Sequence, residues 1–559
     1  MRRHFMSAIA ATAVLLAVAA PSRSTFSPPQ PLTSADWRGE QASVLFGDGS
    51  LLTVALVSTE TPGAEVQVGQ RRAGAAAGPP AAVARFGGAA GFLGDHATGA
   101  ASGLGSNRSG DAVIAWIDGT TVTAVSRDRD GSLGKPESIA PGMNAVAAMT
   151  PRGDATVLFE TNHGAVRAAV RPRGAARFQR PRTLTAAPRA IYASTLRSAG
   201  LRADNDGFVA LWTSCVAVAS HRLFSSCSRF RPSAARLSSD GRTARVRTFD
   251  VPWDPWDTMQ VVSSPTGEAL ALLSATRGRG GVVRVARAAA KRPFGAARVI
   301  SRPARTAIRA VAASASGGGY IAWVERAADG SFRIVGADLS RRLNVGRPVA
   351  LSPAFDKVIL PRVRVGTDGS AAVFWPTAAR GTSPPRSWQL RSRRGHGDFV
   401  APLSLAAVER LAVAIGSGGD VIAATAVRVA PEPRPVLAPG CYTRFELRSA
   451  IWTAGAAPAF RTLDSSCGGF APMLAGSWDG ATLAAWGRYE EGETWSLRTA
   501  VRQPHGDFGA ATTAPGTVPR GLITVLLDGV HGAVVWSAFG DGGSRLFASV
   551  DDDLIGGTP

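Results

Sequence analysis

The chain reads as all-β, built from about ten repeats of four strands joined into a ring. Two recurring segments and one mismatch set up that reading. The first segment is a turn ending in Gly, followed by a short apolar strand that often closes on Trp. The second is Phe-x-x-Pro-x-x-Leu-Thr, present as FSPPQPLT (26–33) and FQRPRTLT (178–185). FGAARVIS (294–301), VGRPVALS (345–352) and FVAPLS (399–404) are looser copies. The mismatch is at the ends: the chain opens on the second segment alone, and its last repeat stops without one.

The Gly-to-Trp segment occurs ten times: GSLLTVAL (49–56), GDAVIAW (110–116), GDATVLF (153–159), GFVALW (207–212), GEALALL (267–273), GGYIAW (318–323), GSAAVFW (369–375), GDVIAAT (419–425), GATLAAW (480–486) and GAVVW (532–536). The spacing of 43 to 61 residues is that of a propeller or solenoid. Each repeat divides into four strands. Strand a precedes the Gly turn, as in NAVAAMT (144–150) or AIRAVAAS (307–314). Strand b is the Gly-to-Trp segment. It is apolar on both faces, with Ala112, Ile114 and Trp116 on one and Val113 and Ala115 on the other, as expected of a strand covered on both sides. Strand c alternates, as in VRAAVRP (166–172), VVRVARA (282–288), WQLRSRR (388–394) and WSLRTAVR (495–502), which gives one polar and one apolar face. Strand d is the Phe-Pro-Leu-Thr segment. Its Pro lacks an N–H and suits an outer edge.

The ends then complement each other. The last repeat runs through strand b (532–536) and strand c, RLFASV (545–550), and meets Asp551, Asp552 and Asp553 with no strand d. The N-terminal segment 26–33 supplies the missing strand. Closure of this kind removes unpaired inner edges and defines a β-propeller of about ten four-stranded blades, with the N-terminal strand completing the last blade. Residues 26–559 form one large ring or two smaller rings divided near 301–306.

This signature resembles the sialidase-like and TolB-like β-propellers of secreted and periplasmic proteins, and the count of ten is similar to the ten-bladed ring of the sortilin-type luminal domain. The resemblance covers most of the mature chain at the level of repeat pattern and implies the fold. The sialidase Asp-box, Ser-x-Asp-x-Gly-x-Thr-Trp, is not reproduced: TDGSAAVFW (367–375) and SWDGATLAAW (477–486) keep Asp beside Gly but carry Trp at the strand's end.

Residues 1–20, MRRHFMSAIAATAVLLAVAA, have a basic start, an apolar run and small residues at Ala19 and Ala20, the pattern of a secretory signal peptide. Arg2 and Arg3 leave the choice between ordinary and twin-arginine export open. No later apolar run is long enough to span a bilayer, so no transmembrane segment is expected. The expected location is extracellular. The net charge of +21 comes almost wholly from Arg, since Lys135, Lys291 and Lys357 are the only lysines. Arg used heavily with Ala, Gly and Pro reflects GC-rich codons, pointing to a GC-rich bacterium. The charge still draws the protein toward anionic polymers. The arginines are scattered through every repeat with no basic run interleaved with aromatics, which argues against nucleic acid as a partner.

In an antiparallel four-stranded blade the a–b and c–d loops lie on one face of the ring, and the b–c and d–a loops on the other. The irregular segments fall on the second face: 212–230, 376–387, 430–441 and 487–495 as b–c loops and VPWDPWD (251–257) as a d–a loop. Four cysteines in an exported chain point to two disulfides, Cys215–Cys227 and Cys441–Cys467, both stapling this face. Trp253, Asp254, Trp256 and Asp257 either stack on and hydrogen-bond a sugar or, alternatively, plug the gap between blades. Tyr489, Glu490, Glu491, Glu493 and Trp495 form a second candidate cluster; a Tyr beside an acid can serve as a glycosidase nucleophile, and a solvated acidic loop is the plainer reading. SRDRDGSLGKPE (126–137) puts Asp128, Asp130 and Glu137 at calcium-loop-like offsets but equally describes a Gly-bearing hairpin turn. The seven His show no metal-ligand spacing, and no nucleophile elbow, phosphate loop or dinucleotide fingerprint occurs, so no cofactor is expected. The expectation is a monomeric, secreted, non-catalytic binding propeller that meets an acidic glycan, wall polymer or partner protein. The alternatives are a glycan-cleaving hydrolase or lyase and a structural docking platform.

Overall fold

In the computed structural model the chain forms ten antiparallel sheets of four strands each, arranged as a β-propeller. The structure describes residues 26–554 except 35–36, 60–62, 87–102, 187–199, 206, 221–224, 242, 252, 254–256, 275–281, 303–309, 317, 327–328, 356–359, 378–386, 430–443, 467–470, 478, 490–494, 515–518 and 541–542. Blades 1 to 9 span 37–86, 104–141, 143–185, 200–248, 258–299, 310–350, 362–406, 408–466 and 473–514, each in the order a-b-c-d. Blade 10 takes three strands from 519–551 and its fourth from Gln30–Pro31.

The closing strand sits where the terminal mismatch predicts it. Gln30 and Pro31 pair with Ala548 and Phe547. Ser27 donates its N–H to the Val550 carbonyl at 2.9 Å, and Leu32 donates to Leu546 at 2.8 Å. Leu32 is 1% exposed and packs with Leu45, Leu51 and Val57 of blade 1 and Leu546 and Ala548 of blade 10. Gly69, on strand c of blade 1, allows this approach: a Cβ there would lie 2.8 Å from the Leu32 carbonyl oxygen.

Strand a is the inner edge of each blade. Each strand a touches the strand a of the next blade, and blade 1 touches blade 10, so the contacts run round one ring without a break. The strands on either side of 301–306 take part in that circuit through Thr258–Ser263 and Ala310–Ala315, while most of that interval lies outside the described residues. Strand b is buried on both faces as read from the sequence. In blade 2, Ala112, Ile114 and Trp116 join a cluster with blade 1, and Val113 and Ala115 join one with blade 3. Trp116, Trp212, Trp323, Trp375, Trp486 and Trp536 are all below 2% exposed. Among the described residues no helix is long and apolar enough to cross a membrane.

Arginines near the end of strand c tie neighbouring blades on the face of the short a–b turns. Arg127 donates to Gln70 of blade 1 at 2.9 Å and lies 4.7 Å from the Phe46 ring. Arg236 bonds Asp204 of its own blade and the Gly267 carbonyl of blade 5, both at 2.5 Å. Arg393 pairs with Asp338 of blade 6, and Arg502 lies 3.5 Å from Asp420 of blade 8. Arg71 of blade 1 pairs with Asp552, beyond the last strand, at 2.6 Å. Its hydrogen bonds hold the Asp552 carboxyl below the ordinary carboxylate value, helped by its charge and the Gly74 N–H and opposed by partial burial. A lowered carboxyl contributes stability above about pH 4, and the contribution is lost as pH falls through the lowered value. Asp552→Asn should therefore flatten the acid limb of a stability-against-pH curve and leave the neutral-to-alkaline limb parallel to that of the wild type. An unchanged acid limb would refute this.

Candidate functional site

The strand ends that flank the longest connections all lie on one face of the ring, because those connections run from b to c or from d to a. The most developed feature there is in blade 4. The described residues of 212–230 are strand, not loop. Strands b and c continue through them as Gly207–Ser220 and Ser225–Ser238, each 14 residues, against six residues for strand b of blade 3. Register shifts at Cys215/Ala217 and Ala217/Val218 mark a bulge, which adds local twist to this arm. Cys215 and Cys227 are disulfide-bonded across the two strands, with Cα atoms 5.8 Å apart.

Beside the arm run the residues that link blade 4 to blade 5. Asp250, highly exposed, lies 2.8 Å from Arg231 and 4.0 Å from Arg229. Trp253 forms a β-bridge with Phe230 and is buried in a cluster with Phe249, Val251 and Met259, so its indole fills the seam between blades 4 and 5. Asp257 is likewise buried. Asp254 and Trp256 lie outside the described residues.

In blade 9, Tyr489 and Trp495 face each other across strands b and c, with ring centroids 5.3 Å apart. Both are half-buried. Ser466, at the end of blade 8, donates its hydroxyl to the Tyr489 carbonyl at 2.7 Å. One turn inward, the buried Asp464 accepts from the Trp486 indole N–H at 2.9 Å and faces Arg488 at 3.4 Å and Arg498 at 3.8 Å. Glu490, Glu491 and Glu493 lie outside the described residues, as do Cys441 and Cys467.

On the opposite face, residues 128–132 make a tight turn. Gly131 adopts φ +89°, and Asp130 is occupied by the Ser132 N–H at 2.8 Å and the Ser132 hydroxyl at 2.7 Å. Glu137 accepts the Phe178 N–H of blade 3 at 3.1 Å. Asp128 supplies the backbone of the turn. Among the described residues no group of three or more His, Cys, Asp or Glu is placed to hold a metal. A cleft of about 350 Å³ on the outer side of blades 8 and 9 is bridged by an Arg461–Asp507 pair at 2.6 Å. The arginines of the inner strands do not stand out in the sequence. Aligning strand a between repeats sets RVRV (362–365) against segments such as NAVAAMT (144–150), but which of its residues face the opening depends on the register.

The disulfide gives a direct prediction. Closing a loop with a sequence separation of 12 contributes about 3 kcal/mol in the chain-entropy account. Replacing Cys215 and Cys227 with Ser should expose residues 216–226 to proteolysis, while the ring's main unfolding transition moves by no more than that amount. Equal protease resistance with and without the bridge would contradict this.

No family model matches the chain, and no curated protein matches it. Among solved structures, an ulvan lyase of a polysaccharide lyase family aligns at 10% identity and TM-score 0.33, covering 76% of this chain and 96% of that one. The α-L-arabinofuranosidase Arb93A from Fusarium graminearum aligns at 11% identity and TM-score 0.25, covering 53% and 93%. The β-propeller domain of the Trilobed protease from Pyrococcus furiosus, described as having an open velcro topology, aligns at 14% identity and TM-score 0.31, covering 52% and 82%. None of their activities is assigned to this chain.

Proposed function

We propose that this protein is a secreted, non-catalytic binding propeller whose long-loop face recognises an anionic extracellular polymer, an acidic glycan or a wall polymer. The observation that carries the reading is the disulfide-held arm of blade 4, with Arg229 and Arg231 at its base, on the face where the longest connections gather. A rigid ring presents such an arm at low ordering cost, and a chain of net charge +21 favours anionic ligands at long range. The aromatic pair Tyr489–Trp495 provides a second contact on the same face.

Retention on immobilised acidic glycans and wall polymers at two salt concentrations tests this reading. The expected result is selective retention that weakens with salt but survives at physiological ionic strength. Shortening residues 216–226 to a two-residue turn should reduce it severalfold. Retention that is unselective and vanishes with salt would reduce the interaction to general charge attraction. Release of shortened glycan during the same incubation would favour a hydrolase or lyase, which needs two convergent carboxyl groups roughly 5–10 Å apart.

A further inference from the structure

Among the described residues, the exposed side chains of the ring's inner edge carry charge of one sign. A side chain in mid-strand a that remains exposed must face the central opening, because the rest of its own blade and the adjoining blades cover it elsewhere. Among the described residues of these innermost strands, the exposed positions are Arg202, Arg362, Arg364, Arg410, Met473 and Gly476. No carboxylate is among them. Glu409 is half-buried and ion-paired with Arg428 at 3.2 Å, Asp204 is buried against Arg236, and Asp528 is half-buried at the turn that ends strand a of blade 10.

The register places these arginines at related depths. Arg202 faces Val209 and Arg364 faces Ala372, each partner lying three residues before the Trp that closes strand b, Trp212 or Trp375. The two therefore share one level. At that level the other Trp-bearing blades place Gly105, Ala313, Ala475 and Leu526. Gly105 is forced to be small, since a Cβ there would lie 2.5 Å from the Ala148 Cα. Arg362 sits two residues nearer the long-loop face, opposite Phe374, and Arg410 nearer still, opposite Ala426. Successive levels are roughly 7 Å apart at strand rise.

Little in the fold uses these charges. Arg202 and Arg410 have no hydrogen-bond or ion-pair partner among the described residues. Arg364 donates only to the Val363 and Val413 carbonyls, both at 3.2 Å, and Arg362 lies 5.6 Å from the Trp388 ring. Although both side chains reach the opening, crowding by the surrounding wall partly desolvates the Arg202 and Arg364 guanidinium groups and pushes them below their ordinary value, and the Arg362 charge adds to the effect at Arg364. Guanidinium groups held along one wall without an acidic partner can take an anion brought from outside through charge-assisted, bidentate hydrogen bonds.

We propose that Arg202, Arg362, Arg364 and Arg410 form an anion-binding site on the inner wall of the ring, taking the carboxylate or sulfate groups of an extended glycan chain that enters from the long-loop face. It rests on the reading that the ligand is anionic, not on which loops meet it. The surface of a folded partner cannot follow strands at the inner edge, whereas a single extended chain can. The arginines at successive depths match a ligand with charges repeated along its length.

The test uses a heparin-derived hexasaccharide as probe, with inorganic sulfate and a neutral dextran oligomer as comparisons. Arg202→Gln with Arg364→Gln should weaken hexasaccharide binding at least tenfold. Arg341→Gln with Arg347→Gln removes equal charge from an exposed c–d turn of blade 6 and should change it less than twofold. Equal loss in both pairs, or none in the first, would overturn the assignment. Competition by inorganic sulfate as strong as that by the hexasaccharide would overturn the extended-chain ligand in favour of a free anion. Should the inner pair fail to fold, arginine modification by phenylglyoxal in the wild type decides: the hexasaccharide should protect Arg202 and Arg364, and absence of protection would overturn the site. A wild type that binds no acidic polymer would instead refute the proposed function.

Discussion

Deleting residues 26–33 should destabilise the whole ring, not merely its last blade. Leu32 alone, buried at 1% between blades 1 and 10, is expected to cost about 2–5 kcal/mol as Leu32→Ala. The deletion removes more. It takes away the Ser27 and Leu32 backbone bonds to Val550 and Leu546 and the Thr33 hydroxyl, which accepts the Leu546 N–H at 3.1 Å. Phe26, which packs against the core shared by blades 9 and 10, is lost as well. Strand c of blade 10, Gly543–Asp551, then becomes an unpaired edge, and such edges recruit other chains. The expected outcome is a lower denaturant midpoint together with concentration-dependent association in sedimentation. A deleted chain that stays monomeric with an unchanged midpoint would show that the N-terminal segment does not hold the ring.

The second large effect is expected at Asp204. Its side chain is 1% exposed and 2.5 Å from Arg236, which is 6% exposed. Asp204→Ala leaves a guanidinium group in the seam between blades 4 and 5 with the Gly267 carbonyl as a remaining acceptor. Breaking a buried pair from one side costs about 3–5 kcal/mol, because the surviving charge is uncompensated. Replacing both members with apolar residues of similar size, Asp204→Leu with Arg236→Met, should recover most of that loss. The comparison separates the cost of an orphaned charge from the net worth of the pair. A double variant as unstable as the single one would mean that packing, not charge, sets the penalty.

The architecture was legible because propeller strands write their environment into their composition. Strand b is covered on both sides and has to be apolar on both, so Trp116 and Val113 alternate with no polar residue between them. The closing strand was legible for a different reason, a deficit at one end matching a surplus at the other. The blade 4 arm was misread as a loop. It continues strands b and c past the repeat's usual length, and Ser, Cys and Ala in WTSCVAVAS carry little strand signal of their own. The local disulfide was still readable from spacing and is present. Trp253 could not be placed from sequence, since an indole beside Pro and Asp fits a sugar platform and a blade seam equally well; here it lies in the seam. The inner-wall arginines were hidden by background. Among 62 basic residues, four are distinguished only by facing the opening, and that depends on register between blades, not on local pattern.

The closing pair also dictates the order of events on the way to the native state. The Leu546 N–H and the Thr33 hydroxyl it bonds are 513 residues apart along the chain. Bringing such distant ends together in an otherwise unstructured polymer costs about 5–6 kcal/mol of loop entropy, far more than the few bonds formed could repay at that moment. The intervening modules must stack first and shorten the effective gap. The first segment to be synthesised is therefore the last to find its place, and until the final strands follow it, the molecule remains an unsealed arc.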